Sequence, residues 1–139
     1  MVSIYSVVYQ VSLTPNSDNY VIELTAPSNA TFKVRAVRIM HGDGTATTSS
    51  DYHRKVKFVT ESAAGSGGSS ATIIQFNANS TAANVTAKTG LTTGGTVDKT
   101  VDVFSQHSST DFWWQARDDD DKIVVKPSAF FAIVVNPAN

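Results

Sequence analysis

The chain of 139 residues contains no cysteine. This absence excludes disulfide bonds, thiolate nucleophiles and cysteine-based zinc sites, so the fold must be stabilised by packing. Eleven basic residues stand against twelve acidic ones, and a chain without a basic excess lacks the electrostatic surface that binds a phosphate backbone. We therefore expect no nucleic acid partner.

Glutamate and helical patterning are also scarce. Glutamate occurs only at Glu23 and Glu61, whereas there are sixteen threonines and sixteen serines. Hydroxyl and β-branched residues favour strands and turns over helices. The N-terminus lacks the basic and continuous apolar regions of a secretory signal, so we expect neither a leader nor a membrane partner. A chain of this length fits a single domain covering residues 1–139.

Apolar residues recur at every second position in several short segments, which is the pattern of half-buried strands. Turn residues separate these segments, and a Gly/Ser-rich loop at 63–70 is interpreted as a hairpin tip. The segment 77–98 is predicted to be irregular apart from one edge strand near Val85. The other predicted strands are 5–13, 20–24, 31–41, 52–58, 71–76, 99–105, 111–116, 123–126 and 129–135.

This pattern predicts an all-β protein, a jelly-roll β-sandwich of about eight to ten short antiparallel strands. An immunoglobulin-like sandwich is the nearest alternative, although it usually needs fewer strands.

Two adjacent tryptophans, Trp113 and Trp114, cannot both face the core of one strand, because neighbouring side chains point to opposite faces. Trp114 shares a face with Phe112, so Trp113 is predicted on the polar side. A large aromatic ring there could anchor a subunit interface, stack on a sugar, or be covered by a loop. We rank the interface first.

The segment 129–135 is apolar on both faces, although an antiparallel strand usually exposes one face to water. This second apolar face predicts association with another chain. The candidate residues of an oligomer or partner interface are Trp113, Phe131, Ile133, Val135, Tyr5 and Tyr9.

Chemical motifs are few. The run from Asp118 to Asp121, followed by Lys122, matches the enteropeptidase recognition motif of trypsinogen activation peptides, but we interpret it as a solvated turn because no protease domain follows. The three histidines form no HExxH pattern, and no GxSxG elbow is present. We expect no catalytic residue, no cofactor and no enzymatic activity. We also expect no metal site, and a calcium ion held by the carboxylates of the aspartate run is the alternative.

Four basic residues, Lys33, Arg35, Lys55 and Lys57, could line up across two neighbouring strands. A solvated outer face is the favoured interpretation, given the near-neutral net charge. The alternative is a basic patch that docks on an acidic protein surface.

The succession of a Lys33–Ile39 strand, a Gly/Ser/Thr-rich loop, a basic Arg54–Val59 strand and closing strands at Phe112–Trp114, Ile123–Pro127 and Phe130–Val135 resembles the cement or decoration proteins of tailed bacteriophages. These proteins sit as trimers on the outer capsid and fold as jelly rolls similar to tumour necrosis factor. The resemblance is one of strand pattern and composition over most of the chain, and it assigns no function to any individual residue.

The resemblance implies a non-enzymatic virion protein, assembled in the host cytoplasm and located on the outer capsid surface. Its partners would be the major capsid protein and two further copies of itself, and it would hold capsomer junctions together. The chief alternative is a carbohydrate- or receptor-binding β-domain of a tail fibre or adhesin, which would present Trp113 and tyrosines such as Tyr52 to sugars. An enzyme ranks third.

Overall fold

The computed structural model describes residues 3–40, 53–79, 82–107 and 111–138, with the side chains of Gln106 and Ala138 excepted. Within these residues every regular element is a β-strand and every pairing is antiparallel, which confirms the all-β prediction. The strands are β1 (Tyr5–Ser6), β2 (Asn19–Thr25), β3 (Phe32–Val34), β4 (Ala36–Ile39), β5 (His53–Ala63), β6 (Ser69–Ala71), β7 (Ile74–Gln75), β8 (Thr86–Leu91), β9 (Thr96–His107), β10 (Phe112–Gln115), β11 (Ile123–Val125) and β12 (Phe130–Ala138).

One six-stranded sheet forms the larger layer, in the order β6-β8-β2-β12-β5-β9. The C-terminal strand β12 therefore lies in the interior of the sheet, between β2 and β5. A strand in that position has neighbours on both edges and can be covered on both faces, which explains why its sequence is continuously apolar.

The opposite layer consists of short pairs, β4 with β10 and β3 with β11. The apolar alternation of the segment 32–39 changes phase between β3 and β4, where Arg35 and Ala36 are consecutively exposed. This local irregularity resembles the effect of a β-bulge and turns Val37 inward with Val34. A strict alternation from Phe32 through Val34 would place Arg38 in the core, and the change of phase explains why Arg38 is exposed instead.

The main core lies between these two layers and is centred on Phe58. Its ring centroid is 5.2 Å from that of Phe104, 6.0 Å from Phe112, 5.5 Å from Trp114 and 5.8 Å from Phe131. These are edge or tilted contacts, the geometry that aromatic pairs prefer. The larger sheet and the short pairs thus share one core, as in a sandwich.

Three local predictions were wrong. Residues 7–13 form no strand, and only β1 pairs, with β7. The loop after β5 is not a hairpin tip, because β5 pairs with β9 whereas β6 pairs with β8. The segment 77–98 contains β8 and the start of β9, and β8 lies between β6 and β2 rather than at an edge. The jelly-roll topology stays a prediction.

Candidate interaction surfaces

The expectation that β12 needs a partner chain to cover its second face is wrong. Phe131, Ile133 and Val135 are 0%, 8% and 2% exposed and all belong to the main core. On the opposite face, Ala132 and Val134 are 0% and 1% exposed, in a second cluster with Val59. Phe131, Ile133 and Val135 are therefore core residues of one subunit, and none of them offers surface to a partner.

The second face of β12 is covered by its own chain. The ring of Tyr20 packs against the cluster of Ala132 and Val134. Two segments that we call the glycine loops, residues 64–68 and 92–95, are joined by hydrogen bonds from the Ser66 amide to the Thr93 carbonyl (2.9 Å) and from the Thr92 amide to the Ser66 carbonyl (3.0 Å). A Cβ atom on Gly94 would collide with the Tyr20 ring, so the second loop lies against that ring. Sequence periodicity missed this cover because the loops contain few apolar residues.

Trp113 lies on the outer side of β10 and is 62% exposed, whereas Phe112 is buried and Trp114 is half-buried. The predicted division of the aromatic residues is therefore confirmed. The Arg38 guanidinium lies 5.0 Å from the centre of the Trp113 ring, in a cation–π contact, and 3.9 Å from the Asp111 carboxylate. This exposed aromatic and charged group can contact a partner protein or a sugar. Tyr52, the other predicted sugar contact, lies outside the described residues.

The four basic residues do not form one stripe. Lys33 belongs to β3, which pairs with β11, and Arg35 follows it, whereas Lys55 and Lys57 belong to β5, which pairs with β12 and β9. The prediction that these strands are neighbours is wrong, because the two pairs belong to different layers of the sandwich.

Each basic pair acts on a carboxylate of its own chain. Lys57 Nζ lies 2.7 Å from an Asp18 carboxylate oxygen, and this hydrogen bond is the main cause that lowers the pKa of Asp18. Lys122 likewise holds the pKa of Asp119 below its usual range, with smaller contributions from Lys33 and Arg35. A single docking patch of four cations is therefore not supported by the fold.

The aspartate run between β10 and β11 is exposed, as a solvated turn requires. The backbone amides of Asp120 and Asp121 donate to an Asp118 carboxylate oxygen at 2.9 and 3.2 Å, and Lys122 pairs with Asp119. This is the local side chain to backbone bonding that aspartate provides in turns. Within the described residues, no group of three or more histidines, aspartates or glutamates is arranged to hold a metal ion.

The paired strands β1 and β7 carry an exposed apolar surface that the sequence pattern did not predict. β1 and β7 form a two-stranded ribbon, in which the Phe76 amide also donates to the Ile4 carbonyl at 3.1 Å. Because residues opposite each other in an antiparallel pair share a face, Ile4, Ile74 and Phe76 lie on one side of this ribbon. They are 42%, 52% and 71% exposed. We call these three residues the ribbon face.

Tyr5 and Tyr9, the two predicted N-terminal interface residues, differ in position. Tyr5 lies on the opposite side of the ribbon from the ribbon face and is half-buried. Tyr9 is 37% exposed. Its hydroxyl lies so close to Gly90 that a Cβ atom on that glycine would be only 2.5 Å from the hydroxyl oxygen. Tyr9 therefore rests against β8, while Val8 beside it is 77% exposed.

The only two glutamates of the chain meet beneath the glycine loops. Glu23 and Glu61 are each 1% exposed, on strands that flank β12. The Gly65 amide donates to Glu23 Oε2 at 2.7 Å. Burial, followed by the neighbouring Glu23 charge, raises the pKa of Glu61 to about 7. The scarcity of glutamate was visible in the sequence, but nothing in the spacing of these two residues indicated that they meet.

Comparison of the chain with protein-family models, with curated proteins and with solved structures gave no match. In the described part of the chain, no helix has the length and apolar character needed to cross a membrane.

Proposed function

We propose that this protein is a non-enzymatic virion component, a capsid decoration protein that binds the outer shell as a trimer and stabilises capsomer junctions. The observation that carries the proposal is the ribbon face, with Ile4, Ile74 and Phe76 exposed together on a two-stranded ribbon. Two isolated strands are marginally stable in water, and an apolar ribbon gains stability when another surface covers it.

The sandwich supports this role because it is complete without a partner. The main core and the cover over β12 come from one chain, so a subunit can fold first and attach afterwards. Attachment at several symmetry-related sites makes each later contact intramolecular, and weak individual contacts then give strong retention. In a trimer, the ribbon face would contact either a second subunit or the major capsid protein.

Sedimentation velocity of the purified chain tests the self-association part of the proposal. We expect a trimer for the wild type. If the ribbon face lies between subunits, Phe76→Asp should be a folded monomer, because a carboxylate there prevents burial in an interface. If the ribbon face contacts the capsid protein, Phe76→Asp should stay a trimer and bind shells less. Circular dichroism checks that the variant remains folded, which is expected since Phe76 is 71% exposed. Val124→Asp, at a position 54% exposed on β11, is the matched control and should remain a trimer.

A wild type that stays monomeric at high concentration would contradict the trimer. Capsid binding is tested separately. We expect a major capsid gene near the gene for this chain, and shells assembled from that capsid protein are used for co-sedimentation. Shells that bind wild type and Phe76→Asp equally would show that the ribbon face is not the attachment surface.

A second candidate function is sugar or receptor binding, which the exposure of Trp113 favours. An indole that is 62% exposed can stack on a sugar ring, and Arg38 and Asp111 beside it supply a donor and an acceptor. A glycan array distinguishes the two candidates. The sugar-binding function requires a signal that Trp113→Ala removes without altering the sedimentation coefficient, whereas the decoration function predicts no such signal.

A further inference from the structure

The buried carboxyl pair is placed across the central strand of the six-stranded sheet. Glu23 lies opposite Ala132 on one side of β12, and Glu61 lies opposite Phe130 on the other. Residues that face each other across antiparallel strands point to the same face, so both carboxyl groups lie on the outer face of the sheet, under the glycine loops.

Three oxygens of the pair, Glu23 Oε1 and both oxygens of Glu61, are buried and have no hydrogen bond of good geometry. The Gly95 backbone approaches Glu61 and lowers its pKa, but this effect is smaller than the opposing effects of burial and of Glu23. Burial without a partner is costly for a carboxylate. If Glu61 carries a proton, its hydroxyl can donate to Glu23 Oε1, while Glu23 Oε2 continues to accept from the Gly65 amide. One shared proton therefore removes most of the unsatisfied acceptors and the repulsion between two like charges.

The loops above the pair fit it closely. A Cβ atom on Gly65 would lie 3.1 Å from Glu23 Oε2, and a Cβ atom on Gly95 would lie 2.5 Å from Glu61 Oε2. Each glycine loop thus approaches one of the two carboxyl groups with its bare backbone. Because the loops are also bonded to each other through Ser66, they can separate from the sheet together.

We propose that Glu23 and Glu61 form a pH-dependent latch, in which one shared proton fastens the two glycine loops to the outer face of the six-stranded sheet. When the proton is lost, two adjacent carboxylates cannot both stay buried. The loops then open and admit water, and this exposes the second face of β12 around Ala132 and Val134.

Charged groups lie on the strands around the pair. Lys88 on β8 lies opposite Glu23. Lys57 on β5 points to the same face but is bound to Asp18. On β9, Val97 lies opposite Glu61, with Asp98 and Lys99 next along that strand. The glycine loops and the outward residues of β12 contain no charged group, and β2 adds only the Tyr20 phenol.

The direction of the pH dependence follows from which form of the loops binds the proton more tightly. The closed form holds the proton more tightly than the open form, whose carboxyl group has an ordinary pKa near 4.5, while the closed form titrates at about 7. Closure of the loops is therefore favoured at low pH. The free energy that favours the closed form decreases as the pH rises above 4.5, and this contribution is lost as the pH rises through about 7.

Amide hydrogen exchange at about pH 5.5 and pH 8.5, corrected for intrinsic exchange rates, tests the latch. We expect protection in the glycine loops, including the Gly65 amide, to fall at least about tenfold at the higher pH, since each pKa unit is a factor of ten. Glu61→Gln keeps a donor toward Glu23 without a titrating group, so its loops should stay protected at both pH values. Asp98→Asn, on the neighbouring strand, is the control and should behave like the wild type.

The latch is refuted if Glu61→Gln keeps the wild-type pH response, if the wild-type loops do not respond, or if protection falls equally in all strands. A response confined to the ends of β5 and β9, where His53 and His107 lie 5.7 Å apart, would assign the effect to histidine and also refute it. Should the variant fail to fold, a carbon-13 titration of the wild-type Glu61 carboxyl decides the question, and an ordinary value near 4 rejects the latch. The same exchange experiment on the Phe76→Asp variant shows whether the pH response of the loops depends on trimer formation. We expect the same response in that variant, because the loops and both glutamates belong to one subunit.

Discussion

At the scale of single residues, Phe58 is the centre of the core, and its ring contacts four other aromatic rings. Phe112 faces the core and Trp113 faces outward, because adjacent residues of a strand point to opposite sides. Alternation did not identify Phe58 as the centre of the core, since its five-ring cluster joins residues from β5, β9, β10 and β12 that are far apart in the sequence.

Phe58→Ala should lower the free energy of unfolding by about 3–5 kcal/mol, because it leaves a cavity between both layers of the sandwich. Phe58 is fully buried, so the neighbouring rings can refill the space only partly. Urea denaturation monitored by tryptophan fluorescence measures the loss. Val124→Ala, at an exposed position, should change stability by less than about 0.5 kcal/mol, and a comparably small effect for Phe58→Ala would disprove the assigned centre.

At the scale of elements, a continuously apolar strand has two explanations, a partner chain or an interior position in a sheet. For β12 the second explanation is correct. β2 and β5 pair with its two edges, and an apolar cluster covers each of its faces. The sequence of the strand is the same in both cases, so only the pairing could distinguish them. The segment 77–98 is rich in Asn, Thr and Gly and poor in large apolar residues, which predicts only an edge strand near Val85. β8 instead lies inside the sheet, and within it only Ala87, Thr89 and Leu91 are buried.

Phe131→Asp should unfold the subunit rather than only dissociate an oligomer. Phe131 is 0% exposed in the main core, and a buried, unpaired carboxylate costs a large part of the 5–15 kcal/mol that stabilises a typical domain. Loss of the thermal transition in circular dichroism is the expected result, with Val103→Asp on the exposed side of β9 as a folded control. A folded monomeric Phe131→Asp would instead restore β12 as an interface strand.

At the scale of the whole molecule, apolar surface and charge are distributed differently from the sequence-based expectation. The C-terminal strand is internal, whereas exposed apolar residues lie on the ribbon face, along β9 and at single positions such as Val8, Trp113 and Val124. β9 lies at an edge of the sheet, and its pairing with β5 contains several irregularities. β9 also carries the charged residues Asp98, Lys99 and Asp102. Both features discourage edge-to-edge pairing with another sheet. The ribbon face has no charged residue of that kind, which is why the assembly proposal rests on it.

The sequence by itself determined the strand class, most of the strand positions after residue 98 and the direction of each aromatic ring in β10, because alternation is a local property of an extended chain. Only the tertiary structure decided which strand lies inside the sheet, which layer each lysine occupies and that the two glutamates meet. Those outcomes depend on contacts between distant segments, and residues such as Glu23 and Glu61 carry no local sign of the partner that the fold gives them.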